Sequence, residues 1–164
     1  MTISELFLQE FDVEMPGTRQ LLERVPETSF TWKPHEKSMT LGRLASHIAD
    51  LPARCTTIIT TDELVRQPGF TPWSASSTAE LLAHFDAATT EARPALAGLR
   101  DDRLSVMWTL KMGDRTLASL PRAMALRRVF MDHIIHHRAQ LGVFLRLLDV
   151  PIPGMYGASA DDQR

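Results

Sequence analysis

The chain has 164 residues, 44% of them apolar, a formal charge of -2 and a pI near 6.3. That size suits one domain spanning residues 1–164 around one core, and the charge leaves no basic footprint for nucleic acid. No apolar run approaches the ~20 residues of a membrane span, the start MTISELFLQEFDVE is acidic where a signal peptide is basic, and the lone Cys55 excludes an intrachain disulfide, so a cytoplasmic protein is expected.

Thr2 and Glu5 have the spacing of a capping box and open a first helix past Phe7, Phe11, Met15, Leu22 and Val25, with a kink or break expected at Pro16. Residues 26–37 have no period and read as a connection carrying Trp32 and His35. Ser38 or Thr40 can cap a second helix with Leu41, Leu44, Ile48 and Leu51 inward. It is expected to bend near Pro52 and to continue through Cys55, Ile58 and Ile59 to about Val65. Ser77 and Glu80 form a second capping-box pattern ahead of a third helix with Leu81, Phe85, Ala88, Ala92 and Leu99 on one side, kinked at Pro94. Between 104 and 118 the period changes to alternation with Gly113-Asp114 at a turn, which predicts a small hairpin or an extended crossover. Pro121 suits the first turn of the last helix, and the tail PIPGMYGASADDQR either lies over one end of the bundle or frays. Four long helical patterns predict an all-α four-helix bundle with a long crossover before the last helix.

The last helix carries the chemistry. Apolar residues at 126, 130, 141, 144 and 148 define an inward stripe whose missing steps are His133 and His137. Residues four apart stand one turn apart on one face, with side chains roughly 6 Å from each other, so both rings can reach one ion. Two readings follow: a metal site, or buried histidines satisfied by ordinary hydrogen bonds. Unpaired buried polar groups cost on the order of 1–3 kcal/mol each, a cost that coordination bonds replace. A third ligand has to come from another helix, and His47, beside the second helix's apolar face, is the best placed. His84 is a weaker substitute, His136 points to a flank or subunit contact, His35 sits in a loop, and Cys55 is expected as a packed thiol. Three imidazoles with an open fourth position suit Zn, Ni or a similar divalent ion. Position 134 is Ile, so no HExxH protease motif is formed. Phe130 and Leu44 stand where a ferritin-like Glu-x-x-His would need carboxylates.

The segment TWKPHEKSMTLGRLASHIADLP together with HIIHHRAQLGVFLRLLDVPIPGMYGASADD resembles the DinB-like (YfiT-like) superfamily of small metal-dependent enzymes over nearly the whole chain. His-x-x-x-His-Arg-Ala-Gln at 133–140 and Pro-Gly-x-Tyr-Gly at 153–157 are its strongest parts. The resemblance implies a four-helix bundle, commonly dimeric, with one divalent ion, usually nickel or zinc, on His47, His133 and His137. Relatives include transferases and isomerases that use low-molecular-weight thiols such as bacillithiol or mycothiol, and others described only as hydrolases. The family name records DNA-damage induction and implies no DNA binding.

The functional expectation is therefore a metal-dependent enzyme acting on a small molecule, a thiol S-transferase or hydrolase, as a homodimer. The alternative is a non-catalytic metal-stabilised bundle whose fourth ligand is Asp50, His84 or His136. Asp50 and Gln140 can orient ligands or lie on the helix surface, Arg138 can meet a thiol's carboxylate or an acid of its own bundle, and Trp32, Trp73 and Tyr156 can line a pocket or seal the core.

Overall fold

The structure is a computed structural model and describes residues 1–162. It is mostly helical, with four long helices and a small three-stranded sheet. The first three helices are α1 (Ile3–Leu22), α2 (Leu41–Thr60) and α3 (Thr78–Ala97). The final one runs without interruption as α4 (Arg122–Ala125), a π-helical turn (Leu126–Met131) and α5 (Asp132–Leu147). α2 packs on α3 and α5, and α1 packs on α3 and α5, so each long helix has two neighbours. Phe11, Leu44, Ile48, Phe85, Phe130, Ile134 and Leu141 meet between them with almost no exposure.

Helix starts follow local chemistry. Thr2 and Glu5 form the full reciprocal capping box at α1. Thr40, rather than Ser38, caps α2 by accepting from the Arg43 amide. The connection before it docks on the same end, with the Trp32 and Phe30 carbonyls accepting from the Leu41 and Gly42 amides. Ser77 caps α3, but Glu80 reaches back to Ser76 instead of closing the box. Pro16, Pro52 and Pro94 all lie inside unbroken helices, so the break considered at Pro16 does not occur. Packing on both neighbours outweighs one lost ladder bond at each site.

Two expectations are corrected. The second helix stops at Thr60, and Glu63–Arg66 is strand β1, not helix. Thr61 ends the helix in extended conformation, its hydroxyl donating to the Thr57 carbonyl at 2.7 Å with the Glu63 carbonyl also in reach at 3.0 Å. The hairpin is real, formed by β2 (Met107–Met112) and β3 (Arg115–Pro121) around Gly113 at φ 54°, but it belongs to a larger sheet. β1 joins β2 in parallel, Glu63 opposite Thr109, giving the order β1-β2-β3. Pro121 stands one residue before α4 instead of inside its first turn. The fully buried Arg122 then ties the sheet's exit to the end of α2, donating to the Ile58 and Thr61 carbonyls and to Asp62. A cation there answers the unpaired carbonyls of a helix C-terminus. The tail does not fray within the described residues: Tyr156 reaches Glu14 and Arg138, and Asp161 pairs with Arg146.

Candidate metal centre

The last helix does not bury the face that regular spacing assigns to it. Leu126, Phe130, Ile134, Arg138, Leu141 and Leu145 are inward, while His133, His137, Phe144 and Leu148 are only half-buried. The π-helical turn takes up an extra residue and shifts the stripe, so the histidines stand at the edge of the core next to it. α2 faces this edge and brings His47 to it.

The three rings form a nearly equilateral group. Their centroids lie 4.9 Å apart for His47–His133, 4.6 Å for His47–His137 and 4.7 Å for His133–His137. One ring nitrogen from each falls within 4.8 Å of the other two, and the Nε2 atoms of His47 and His133 are 3.1 Å apart. Nitrogens bound tetrahedrally at ~2.0–2.1 Å from a zinc-type ion stand about 3.4 Å from each other. The donor set and its spacing therefore fit a divalent ion of borderline softness with modest ring adjustment.

The surroundings set which nitrogens are free. Nδ1 of His137 lies 2.7 Å from Oε1 of Gln140, which accepts the Nδ1 proton and leaves Nε2 with its lone pair. The His133 ring is hydrogen-bonded to the backbone of Val129, inside the π-helical turn. Burial, then the neighbouring rings, pulls His47 down to about 3. Burial likewise lowers His133 to about 4, and it lowers His137 against the opposing bond to Gln140. All three rings are thus neutral at neutral pH, the form in which imidazole is a ligand. Arg54 pulls in the same direction on each of them.

The remaining sequence candidates go elsewhere. His84 stacks on Trp73 with centroids 3.9 Å apart and meets Asp50 at 3.2 Å, so these two side chains engage each other and not the three-ring group. His136 is exposed against the outer side of His137, and His35 is an exposed loop residue. Cys55 is a buried thiol whose burial raises its pKa. Arg138 turns inward to Glu14 and Tyr156, and Trp32 packs edge-on against Phe144. Two features escaped the sequence reading: the π-helical turn, and Arg54, seven residues after His47 and hence on its face of α2. That spacing was a usable signal for Arg54. Nothing local marks the π-helical turn.

A mostly helical fold with a three-histidine group between its second and last long helices defines a class of small proteins with a candidate metal centre. Comparison with known proteins specifies it. The family model described as DinB family matches residues 1–164, and the chain belongs to that family. A DinB-like protein from Bacillus cereus ATCC 10987 has a similar structure, with a TM-score of 0.70, 22% identity, and coverage of 93% of this chain and 97% of that one. A DinB-like protein from Bacillus subtilis gives 0.68 at 19% identity, over 97% and 99% of the two chains. At these identities the likeness shows the fold. No curated protein matches the sequence. No helix of the described residues is long and apolar enough to cross a membrane.

Proposed function

We propose that this protein is a metal-dependent enzyme on a four-helix-bundle scaffold. His47, His133 and His137 hold one zinc or nickel ion, and the substrate is a small molecule. The observation that carries this is the convergence of three neutral, half-exposed rings from two helices, with His137 oriented by Gln140. A bound divalent ion supplies Lewis acidity that lowers the pKa of a water or thiol coordinated to it. The rings' partial exposure favours an approach from solvent over a sealed structural site. The engagement of Asp50 with His84 points the same way, since it occupies two of the three side chains, Asp50, His84 and His136, any one of which could fill a fourth position. Gln140 fixes the His137 tautomer, the Val129 backbone supports His133, and Arg54 holds positive charge beside the group.

Thiol transfer and hydrolysis both suit such a centre, with a low-molecular-weight thiol or water as nucleophile. We place the protein in the cytoplasm as a homodimer, in keeping with the reduced Cys55 and the exposed Val143 and Leu147 on α5. Elemental analysis of purified protein is expected to give one divalent ion per chain, lost in His133→Ala. Loaded protein is then incubated with chloroacetamides and epoxides, with and without a panel of small thiols. Turnover requiring a thiol assigns transfer, and turnover without one assigns hydrolysis. Failure to take up zinc or nickel, or turnover that survives chelation, defeats the proposal.

A further inference from the structure

Arg54 is an expensive side chain to place where it is. Only 11% of it is exposed, its Nε is buried without a hydrogen-bond partner, and its nearest carboxylate, on Asp50, is 3.9 Å away. Burial and the like charges of Arg66 and Arg43 depress it to about 10. An underpartnered guanidinium of this kind is costly unless something else meets it.

The space in front of it is a cleft of about 420 Å³, within the usual range for small-molecule sites. Arg54, Arg66 and Asp50 supply its charged lining, while Leu64, Val65 and Phe70 supply apolar wall. Two guanidiniums face one carboxylate, and that carboxylate is already engaged by His84. Arg66 lies over the Phe70 ring at 4.8 Å, and among the described residues it has no salt bridge. The cleft's own lining therefore carries one net positive charge, two guanidiniums against one carboxylate, which a monoanion balances and a dianion exceeds. Arg54 connects it to the histidine group: the two share one face of α2, with Arg54 two helical turns from His47, roughly 10 Å along the axis.

We propose that the cleft is a carboxylate subsite. Arg54, with Arg66 at the rim, binds the carboxylate of an otherwise apolar small molecule whose reacting end lies at the three histidines. This names the substrate class for the function proposed above and rests on that reading. Guanidinium suits the task because its planar fork presents two parallel donors to a carboxylate.

The test uses mercaptohexanoate and mercaptohexanol, thiols that differ in the carboxylate at the far end. Each is titrated into the cobalt-loaded full chain and followed by thiolate-to-cobalt charge-transfer absorption. The acid is expected to bind about tenfold or more tightly than the alcohol, the worth of one charge-assisted hydrogen bond. Arg54→Gln is expected to erase the preference, read as the ratio of the two thiols' affinities at full cobalt occupancy. Arg66→Gln, on the more exposed rim, is expected to reduce it severalfold, and it serves if Arg54→Gln does not fold. Equal affinities in the wild type, or a preference that survives both substitutions, overturn the subsite. Absence of cobalt uptake sinks the metal reading instead. In that case hexanoate titrated into the metal-free chain, read by the Arg54 Nε–H resonance, decides the subsite alone: a shift supports it and no shift overturns it.

Discussion

At the scale of single residues, Gln140 matters through one atom. Its Oε1 accepts the Nδ1 proton of His137 and so presents Nε2 to the group. Partners of this kind are worth about 10–100-fold in metal affinity. Gln140→Leu is accordingly expected to weaken zinc binding by about tenfold or more in competition with a chromophoric chelator, with the melting curve of the metal-free protein little changed. Equal affinity in the variant would remove Gln140 from the site. Protonation gives a second handle. His47 and His133 are lowered from 6.5 in the unfolded chain to about 3 and about 4 in the fold, chiefly by burial. Below pH 6.5 the unfolded chain takes up protons that the folded one refuses, so stability is complete above that pH and declines as pH falls toward the folded values. Urea melts of metal-free protein from about pH 7 to about pH 5, above the ordinary carboxylate range, should show this decline. The slope should be shallower in His47→Gln. A slope unchanged by that substitution would mean that the ring is not held neutral by its surroundings.

At the scale of elements, the π-helical turn decides which face of the last helix looks inward. Such a turn absorbs one surplus residue while the helix on either side keeps its rotation. Deleting the exposed Arg128 from it should therefore let a regular helix run through, with Ile134 and Leu141 still in the core. Deleting Ala139 from α5 has no such outlet and rotates everything on one side of it by roughly 100° relative to the other. The Arg128 deletion is expected to fold with unchanged helix content by circular dichroism. It should bind zinc more weakly, because the Val129 backbone is no longer placed under His133. The Ala139 deletion is expected not to fold, and similar behaviour of the two would refute the account. The same turn explains what the sequence conceals. Regular periodicity puts His133 and His137 on the stripe of Phe130 and Leu141, whereas they lie on its border, because period counting assumes a constant pitch. The starts of α1, α2 and α3 were legible because the caps are local: Thr2 with Glu5, Thr40, and Ser77 each bond within a few residues. β1 was not legible, since Thr-Thr-Asp-Glu-Leu-Val still fits a helix and the strand exists through pairing with Thr109 to Met112, far along the chain. His47 could be singled out from its place beside Ile48, but its closeness to His133 depends on how α2 crosses α5.

For the whole molecule, the first helix, the last helix and the tail are joined at one buried polar knot. Arg138 and Glu14 have side chains only 4% and 8% exposed and meet at 2.5 Å. The Arg138 guanidinium also donates to the Glu14 carbonyl, the Thr18 hydroxyl and the Tyr156 hydroxyl, and Tyr156 in turn donates to the Glu14 carboxylate. Such a pair adds little over a well-packed apolar substitute, but removing one member strands the other charge away from water, at about 3–5 kcal/mol. Arg138→Met is thus expected to lower unfolding free energy by about that amount. Tyr156→Phe, which leaves the ion pair intact, should cost nearer 1 kcal/mol. Because the two charges are coupled, Glu14→Gln combined with Arg138→Met should cost much less than the sum of the single changes. Arg138 follows His137 directly but turns to Glu14 on α1 and Tyr156 in the tail, whereas His137 meets His47 on α2, so the Arg138→Met protein, held well below its lowered melting temperature, should still take up metal at one equivalent. Loss of metal in a folded Arg138→Met protein would show that the knot sets the position of the histidines as well as the stability of the fold. Strict additivity in the double variant would show that Arg138 and Glu14 act independently.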